Sequence, residues 1–599
     1  MIYDVETHLI QGGDHCPPLV CQQWGTQGDE HMAAGRDEAA HVQARAILEG
    51  DVEGQNLKYD MGVVGKTWPD LLNATLTGRR YCTRIAARLT DIEAGYVPFK
   101  PHYSLEALVR RYFDLDISAD KGDVGSWRLR FGSLDGVPLD KWPEAARKYA
   151  LQDVTLEDRT FKFQRANQSP NVHAHTLRLT TADIALNHAS IKGIGLDLDL
   201  LRSIDDAAHD ALDRAEHSVI LAGLATRDKD GKLHTSSKAI RRLIAESFER
   251  RGEYAPASPP SDTYLMGQTK IDAETLLLSE HPTLQSWGLA QGARKIVSGF
   301  TQPWLEANSG RVHPEYDLPK ETGRVSCRKP NLQQLPRPTD SNREHGAKLR
   351  RVLVPDPGFV FVWADYDQAE LVSLAQLCLW AGYGDALAHD INDGVDGHNK
   401  VGALVLGIGP ELFDRANPEH AQMRQDAKGI NYGRPGGLGV GGLRRLLAAQ
   451  GRALSVERCE ALLKAHAAAY PDVDRYVRES ITAWKYRDRF ARVPNPDGLP
   501  MLRFCHKPTQ KCNTPFQGLV AGCALEAWVD LWRQCGDARD WWPCLFVHDE
   551  IVVQCRESLA DDIKGRLVDA MKRAAARWMP DVRMGASAKV APRWTKKGG

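Results

Sequence analysis

The run Phe359-Val-Phe-Val-Trp-Ala364 leads directly into Asp365-Tyr-Asp-Gln-Ala-Glu-Leu371. A continuous apolar run of this length is typical of a strand that is buried on both faces, and residues 368–382 continue in a helical pattern. Two further β-type runs flank His548-Asp549-Glu550 and predict a hairpin. Asp365 and Asp549 therefore each follow a strand, and a sheet that joins the two ends would hold both carboxylates around a metal ion. For Asp365 alone, a helix N-cap is the simpler alternative.

A predicted helix over residues 418–432 carries Arg424, Lys428 and Tyr432 on one face, because residues four apart are neighbours on a helix surface. Two cations and an aromatic ring on one face could bind a triphosphate and stack on a base. The alternative is a solvated basic face with Tyr432 anchored in the core. The helix is expected to end at Gly433-Arg-Pro-Gly-Gly437.

Three segments of the first 165 residues carry spaced carboxylates. Asp4 and Glu6 lie two residues apart at a predicted strand end, so both face the same side of the strand. Residues 56–60 have the pattern N-x-x-x-D, and residues 149–153 have the pattern Y-x-x-x-D on a predicted helix. Two like charges held together indicate a cation between them, although solvated acids are the common reason for one such pair.

In this order, the three segments resemble exonuclease motifs I, II and III of the DnaQ-like proofreading family. The resemblance implies that four carboxylates are metal ligands and that Tyr149 orients the attacking water; the ligands would be Asp4, Glu6, Asp60 and Asp153. Four carboxylates and no basic ligand suit two Mg²⁺ ions, or Mn²⁺ in their place. Two such metals can activate water and stabilise the leaving 3′ oxygen of a phosphodiester.

The later segments resemble the family A DNA polymerases of the bacterial polymerase I type. Motif A of that family is usually D-Y-S-Q-x-E-L, motif B is R-x-x-x-K-x-x-N-F/Y-G and motif C is H-D-E; they correspond to residues 365–371, 424–433 and 548–550. Residues 322–326 with 330–336 resemble the primer-template segment, residues 513–518 resemble another template block, and Asp396-Gly-His398 matches the D-x-H before motif B. The size of the chain and the position of the exonuclease strand at its N-terminus look most like those of a bacteriophage-encoded member.

The resemblance implies a role for each matching residue. Two Mg²⁺ ions would be bound by Asp365, the backbone of Tyr366 and Asp549, and Lys428 would donate a proton to pyrophosphate. The deoxynucleoside triphosphate (dNTP) would be held by Arg424, Lys428, Tyr432, His398, Glu370 and Gln368, with Glu370 as the steric gate against a ribose 2′-hydroxyl. Primer-template DNA would be contacted by Arg324, Asn331, Gln333, Asn513, Gln517, His548 and Glu550.

Three positions need separate comment against the family pattern. Asp367 replaces the usual Ser of motif A and adds a negative charge near the metals. Gly436 stands where many members have Tyr, and residues 435–437 are expected to unwind the motif B helix early. Tyr432 is a permitted variant of Phe, and its hydroxyl predicts efficient use of dideoxynucleotides.

The resemblance implies a mixed α/β (α+β) fold. An RNase H-like exonuclease domain would occupy residues 1–165, followed by a right-hand polymerase. The thumb and connecting helices would occupy residues 166–300, the palm 301–366 and 515–599, and the fingers 367–514. The length of 599 residues is sufficient for these domains.

The net charge of −1 comes from 77 basic and 78 acidic residues and, taken alone, argues against a nucleic-acid-binding protein. The distribution is uneven. Residues 1–60 hold three bases and eleven acids (3 − 11 = −8), and residues 322–351 hold eight bases and two acids (8 − 2 = +6). The basic segment is the one that matches primer-template contacts.

Twelve cysteines without a C-x-x-C pair indicate reduced thiols in a cytoplasm, that of the host if the protein is phage-encoded. No apolar run approaches the length of a membrane span. The expected partners are primer-template DNA and dNTPs, and a monomer is expected. A helicase, a primase or a processivity factor would be a further partner, but no segment identifies one.

The sequence therefore predicts a template-directed DNA polymerase with a 3′→5′ proofreading exonuclease. One alternative is an exonuclease with an impaired polymerase half, which only Asp367 and Gly436 support. Another is a non-catalytic subunit that binds primer-template, which predicts the loss of carboxylates that are all present here.

Overall fold

A computed structural model of the chain describes residues 1–10, 16–96, 102–117, 126–258, 267–307, 309–336, 348–448, 454–486 and 488–595. The helices of these ranges include none with the length and apolar character that a bilayer crossing requires. None of the twelve cysteines forms a disulfide, and eleven of them are buried.

The N-terminal part is a mixed five-stranded sheet covered by helices. Its strand order is β3-β2-β1-β4-β5, with β1, β2 and β3 antiparallel and β1, β4 and β5 parallel. The strands are Ile2–Thr7 (β1), Leu19–Thr26 (β2), Asp29–Ala34 (β3), Val52–Gly54 (β4) and Arg80–Cys82 (β5). The helices are Glu38–Leu48 (α1), Lys58–Thr67 (α2), Leu72–Thr75 (α3), Thr83–Ala94 (α4), Leu105–Phe113 (α5) and Glu144–Asn167 (α6).

The middle part is mostly helical and contains a small apolar core of its own. Its helices are Pro170–Lys192 (α7), Leu198–Leu221 (α8), Ser237–Glu249 (α9), Ala273–Leu278 (α10), Pro282–Ile296 (α11) and Gln302–Ala307 (α12). Its short strands are Ile194–Leu196 (β6), Ala225–Arg227 (β7), Leu233–Thr235 (β8) and Arg311–Val312 (β9). Leu212, Ile244 and Trp287 of α8, α9 and α11 pack in this core, separate from the main one.

The C-terminal sheet has four antiparallel strands in the order β16-β17-β13-β18. The strands from β10 onward are Glu315–Asp317 (β10), Ser326–Arg328 (β11), Leu353–Val354 (β12), Phe359–Tyr366 (β13), Phe490–Val493 (β14), Met501–Phe504 (β15), Trp541–Val547 (β16), Glu550–Arg556 (β17) and Ala586–Ala591 (β18). The predicted buried strand is thus confirmed as β13, and the predicted hairpin is confirmed as β16 and β17.

A helical insertion lies between β13 and β16. Its helices are Ala369–Trp380 (α13), Ala386–Asn392 (α14), Gly397–Leu406 (α15), Pro418–Gly433 (α16), Val440–Ala448 (α17), Val456–Ala469 (α18), Pro471–Lys485 (α19) and Pro508–Cys535 (α20), and Ala560–Trp578 (α21) follows the hairpin. Helix α16 ends where the sequence predicts: a 3-10 turn, Arg434–Gly436, follows it, and Gly437 has φ of 84°.

Helix α7 joins the two halves of the molecule. It packs against α2, α4 and β5 of the N-terminal part and against α20 and β16 of the C-terminal part. Lys58 of α2 and Arg84 of α4 both pair with Asp183 on this helix, at 3.0 and 2.8 Å. The N-terminal and C-terminal parts of the molecule therefore share one buried helix.

The structure differs from the sequence predictions at some element ends. Strand β3 was not predicted, because its residues are largely polar and only partly buried. The predicted domain boundaries at residues 165 and 515 both fall within helices, in α6 and α20. Pro515 lies inside α20 rather than at its start.

Candidate active sites in two clefts

Motifs A, B and C and the primer-template segment meet in one cleft, which we call the palm cleft. Its volume is about 360 Å³. Six of the predicted site residues line it together with Tyr366: Arg324, Gln368, Glu370, Tyr432, His548 and Asp549. Residues up to 225 positions apart thus share one site.

The two motif carboxylates lie at the same edge of the sheet. Asp365 is the next-to-last residue of the inner strand β13 and not the residue after it, as the sequence predicted, and Asp549 lies in the turn between β16 and β17. The register pairs Ala364 with Ile551 and Val547 with Glu550, so the end of β13 lies beside the hairpin turn. Asp365 is exposed and Asp549 is half-buried, and carboxylate oxygens are ligands that hard divalent cations prefer.

Glu370 forms an ion pair with Arg324 across the palm cleft. Both side chains are partly exposed, at 33% and 39%. Tyr432 lies in the same cleft, and its pKa is raised first by burial and then by the negative charge of Glu370. The residue predicted as the steric gate is therefore held by a residue predicted to contact DNA, a pairing that the sequence did not indicate.

Arg424 is oriented by Asp396, the acid of the D-x-H motif. Its guanidinium donates to Asp396 Oδ2 at 2.9 Å and to Asn399 Oδ1 at 3.0 Å. Asp396 also caps helix α15 by accepting from the backbone N–H of His398 at 2.9 Å. Burial opposes its ionisation, but the hydrogen bonds from Arg424 and from the backbone N–H of Asn399 hold the pKa of Asp396 below its usual value. Lys428, one turn further along α16, is exposed.

His398 is buried and oriented by an amide. Asn431 Nδ2 donates to its Nδ1 at 2.8 Å, which leaves the proton of the neutral ring on Nε2. Burial lowers the pKa of His398 to about 4, with smaller contributions from Arg424 and Lys428. The ring lies 5.7 Å from that of Tyr432. His398 is therefore a neutral N–H donor near neutral pH.

The other predicted DNA contacts lie around the palm cleft rather than in its lining. Gln333 is buried and donates to the carbonyl oxygen of Phe546 at 3.3 Å. Glu550 is 2% exposed and accepts from Trp594 Nε1 at 2.7 Å. Asn513 and Gln517 are half-buried on α20, and Asn331 precedes a short 3-10 turn.

Asp367 and Gly436, the two departures from the family pattern, each lie against an identified residue. The backbone N–H of Asp367 donates to the carbonyl of Gly585 at 2.8 Å, and the Asp367 carboxylate lies against that glycine. Asp367 is not among the residues that line the palm cleft. A Cβ at Gly436 would stand 2.7 Å from Asn513 Oδ1, so a larger side chain there would displace the amide.

All five residues of the exonuclease-like motifs line a second cleft of about 700 Å³, which we call the N-terminal cleft: Asp4, Glu6, Asp60, Tyr149 and Asp153. Carboxylate oxygens of Asp4, Glu6 and Asp153 lie within 4.8 Å of one another. The predicted alternation on β1 and the predicted helical position of Asp153 are both confirmed.

Asp60 completes the acid group from helix α2. It is 3% exposed, and its pKa is raised well above the usual value, first by burial and then by the neighbouring Asp4. Asp4 accepts from Gln23 Nε2 at 2.6 Å. Burial and then Asp153 also raise the pKa of Tyr149, so its hydroxyl keeps its proton. Buried like charges of this kind are stabilised by hard cations.

Basic residues face the carboxylates across the N-terminal cleft. Arg88 donates to Asp317 Oδ1 at 2.9 Å, and Lys320 lies 3.5 Å from Asp317 Oδ2. Asp317 and Lys320 belong to β10 and the loop after it, in the polymerase-like half. Sequence reasoning missed this group because more than 220 residues separate Arg88 from Asp317.

The fold is a mixed α/β, helix-rich one that matches the structure of a polymerase domain. The structure is similar to that of the POL domain of Pol1 from M. smegmatis in complex with DNA primer-template and dNTP. The TM-score is 0.71, the sequence identity is 20%, and the match covers 99% of this chain and 95% of that chain.

Residues 258–596, more than half of the chain, match DNA polymerase family A, and the chain belongs to that family. It is 26% identical over 408 residues to the thermostable DNA polymerase I of Thermus filiformis, covering 65% of this chain and 44% of that protein. It is 30% identical over 304 residues to DNA polymerase I of Pseudomonas aeruginosa, covering 48% of this chain and 31% of that protein. The chain spans half or less of the length of these relatives.

Proposed function

We propose that the chain is a template-directed DNA polymerase with a 3′→5′ exonuclease that removes mispaired primer ends. The observation that carries the proposal is the meeting of motifs A, B and C in one cleft of a family A chain. The N-terminal cleft, with five motif residues, supports the exonuclease. The substrates would be primer-template DNA and dNTPs.

For the polymerase, the donor set at the palm edge fits two Mg²⁺ ions. Asp549 and Tyr366 line the palm cleft, and Asp365 precedes Tyr366 on β13 without lining the cleft itself; the two carboxylates and the backbone of Tyr366 would be the hard oxygen ligands. Bound there, the ions would lower the pKa of the primer 3′-hydroxyl and neutralise the developing phosphate charge. Lys428 and Arg424 would hold the triphosphate, and His398 would donate through Nε2–H.

Glu370 and Tyr432 would select the sugar and the base of the nucleotide. Both line the palm cleft, and Glu370 is fixed by Arg324. A carboxylate held in this way would occupy the space of a 2′-hydroxyl. The ring of Tyr432 would stack on the base.

For the exonuclease, the N-terminal carboxylates fit two hard cations. Asp4, Glu6 and Asp153 converge within 4.8 Å, and no nitrogen or sulfur ligand joins that described group. The protonated Tyr149 hydroxyl would orient the attacking water. The five-stranded sheet in the order β3-β2-β1-β4-β5 supports the RNase H-like fold that the resemblance implies.

The two alternatives are less well supported. An impaired polymerase half rested on Asp367 and Gly436; the Asp367 carboxylate lies against Gly585, and Glu370, Tyr432 and Asp549 still line the palm cleft together. A non-catalytic subunit would not need carboxylates gathered in two clefts. The bacteriophage origin stays a prediction, since the relatives named above are bacterial.

Primer extension with Mg²⁺ and dNTPs tests the proposal with two matched variants. Asp549→Ala should abolish extension and still degrade single-stranded DNA. Asp4→Ala should extend the primer and leave single strands intact. Loss of both activities in either variant with an unchanged fold, or retention of both, would contradict the assignment of one activity to each cleft.

A further inference from the structure

Glu550, the last residue of motif C, is buried and does not line the palm cleft. It is 2% exposed, and its Oε1 accepts a hydrogen bond from Nε1 of Trp594 at 2.7 Å. A buried carboxylate requires such donors, because leaving a charge unpaired away from water costs free energy. Trp594 is therefore a partner of motif C, although it lies 44 residues further along the chain.

Trp594 is held in place by contacts other than the one to Glu550. It lies in the segment after strand β18 and is 1% exposed. The guanidinium carbon of Arg350 lies 4.3 Å from the centroid of its indole ring, within the range of a cation–π interaction. Arg350 also donates to the carbonyl oxygen of Leu335 at 3.4 Å, in the segment that resembles a primer-template block. The ring therefore packs against a cation that is itself fixed.

The residue before Trp594 fixes the same segment to helix α8. Arg593 donates to the carbonyl oxygen of Arg351 and to Asp197 Oδ2, both at 2.7 Å. Asp197 in turn caps α8 by accepting from the backbone N–H of Leu200 at 3.0 Å. The segment is thus anchored on two sides, and the position of the indole N–H does not depend on Glu550 alone.

The turn between β16 and β17 is where such an anchor acts. The register pairs Val547 with Glu550 across the turn, so Glu550 is the residue at which the chain re-enters the sheet. His548 in this turn has φ of 61°, a conformation that is uncommon for a residue other than glycine. Strained backbone of this kind persists only where its surroundings fix it. The hydrogen bond from Trp594 fixes the end of the turn that directly follows Asp549.

We propose that Trp594 is a positioning residue of the polymerase site, because its indole N–H holds Glu550 and through it the turn that carries Asp549. Trp594 does not line the palm cleft, so it acts on the reaction through this carboxylate and this turn. The inference rests on the proposed polymerase, and it adds a residue outside motifs A, B and C.

The first arm of the test is the variant Trp594→Phe, which removes the N–H donor and keeps a ring against Arg350. The kcat of single-nucleotide extension should fall roughly tenfold or more, the factor that a hydrogen bond to a charged group carries. The KM for the dNTP should change by less than about twofold, because Trp594 does not contact the nucleotide.

Trp578→Phe is the matched control. Trp578 is also 1% exposed, and its Nε1 donates to Glu526 Oε2 at the same distance of 2.7 Å. Neither Trp578 nor Glu526 lines the palm cleft. The control should lower the thermal unfolding midpoint as much as Trp594→Phe does and keep the kcat of wild type. An equal loss of kcat in both variants would show a general effect of destabilisation and overturn the inference.

The second arm tests whether Trp594 acts through Glu550. In a double-mutant cycle, Trp594→Phe combined with Glu550→Ala should extend primers at the rate of Glu550→Ala alone, because both changes remove the same hydrogen bond. Amide hydrogen exchange of residues 547–552, measured without metal or DNA, should be faster in Trp594→Phe than in wild type and in Trp578→Phe.

Three results would each overturn the inference: a wild-type kcat in Trp594→Phe, additive losses in the cycle, or exchange in the turn no faster than in the control. If wild type extends no primer at all, the proposed polymerase itself fails. That outcome is separate, because hydrogen exchange needs neither metal nor substrate and still decides whether Trp594 fixes the turn.

Discussion

Glu370 illustrates how one residue can hold two roles. Its carboxylate fills part of the palm cleft and also pairs with Arg324. A neutral side chain of the same size would keep the volume and lose the ion pair. The two contributions can therefore be separated by substitution.

We expect Glu370→Ala to raise ribonucleotide incorporation by at least about tenfold, because a site rejects an added hydroxyl only where no space is left for it. Glu370→Gln should retain rejection and lower affinity for primer-template, because Arg324 loses its fixed position. Incorporation of dNTPs and ribonucleotides by both variants checks this. Equal discrimination in wild type and Glu370→Ala would exclude a steric gate here.

Tyr432 is the second residue with a specific expectation. Its ring is 41% exposed in the palm cleft, and burial and Glu370 raise the pKa of the hydroxyl, which stays protonated. The hydroxyl can replace a hydrogen bond that a dideoxynucleotide lacks. Tyr432→Phe should therefore reduce dideoxynucleotide use by roughly two- to tenfold relative to dNTPs, the value of one hydrogen bond. Strong rejection by wild type, unchanged in the variant, would count against this.

The residues of both clefts were largely predictable, and their pairings were not. Alternation placed Asp4 and Glu6 on one side of β1, and helical spacing placed Tyr149 and Asp153 together. The pairs Glu370–Arg324 and Arg88–Asp317 join residues that are far apart in sequence, so the strand and helix periodicities of the sequence do not predict them.

Among the elements, the 3-10 turn that follows helix α16 contains a glycine whose neighbour limits its replacement. Gly436 lies against Asn513 of helix α20, where an added Cβ would stand 2.7 Å from the amide oxygen. The amide is the end of a flexible side chain, so it can move aside. A substitution at Gly436 should therefore change the position of the Asn513 amide and leave the fold intact.

We expect Gly436→Ala to weaken productive primer-template binding by about two- to tenfold, because Asn513 loses its orientation. Exonuclease activity on single strands should stay at the wild-type level. Gly439→Ala is the matched control, since nothing lies within 4 Å of a Cβ there. Equal steady-state KM for primer-template in both variants would show that this contact does not orient Asn513.

The hairpin of β10 and β11 is fixed to the N-terminal half through Asp317. Burial opposes its charge, but Arg88 and then Arg84 hold the pKa of Asp317 at about 2. A lowered carboxyl pKa stabilises the fold above about pH 4 and loses that effect as the pH falls towards 2. At neutral pH the ion pairs are therefore fully formed.

Asp317→Asn should lower the thermal unfolding midpoint by a few degrees at pH 7, since Arg84 and Arg88 lose their shared partner. It should also reduce exonuclease activity more than extension, because Lys320 loses its anchor. Asp199→Asn, at an ion pair whose carboxylate is 97% exposed, should change the midpoint little. Equal midpoints for the two variants would contradict a structural role for Asp317.

Element prediction succeeded where one period dominated a segment. The buried strand β13, the hairpin around His548 and helix α16 were all readable. Strand β3 and the hairpin of β14 and β15 were missed, because their residues are mixed in polarity and are ordered by their neighbours.

At the scale of the whole molecule, the basic segment 322–351 has less unpaired positive charge than the sequence suggests. Arg324 pairs with Glu370, while Arg328 and Lys329 both lie within salt-bridge distance of Glu315. Residues 337–347, which carry part of the charge, lie outside the described ranges. A count of charges along the chain thus overstates the electrostatic field that reaches DNA, because the fold decides which charges form ion pairs.

Acid sensitivity is a property of the whole molecule, because its buried histidines lie in several parts. Burial lowers the pKa of His175, His188 and His466 to about 3 and that of His398 to about 4. His188 lies on the shared helix α7, with Nε2 2.9 Å from Thr75 Oγ1. Unfolded histidine binds a proton near pH 6.5, and these folded residues do not.

Stability should therefore be unaffected above about pH 7 and fall as the pH drops below 6.5, since the unfolded chain then binds more protons. For a fully buried residue such as His188 this amounts to about 2 kcal/mol between pH 7 and pH 5. His188→Gln keeps a partner for Thr75 and cannot titrate, so it should reduce the fall of the thermal midpoint between pH 7 and pH 5 by about 1 to 2 °C. His466→Gln provides a second test in the helical insertion. If the thermal midpoints of both variants fall as much as that of wild type on acidification, proton uptake by unfolded histidine is not what destabilises the molecule.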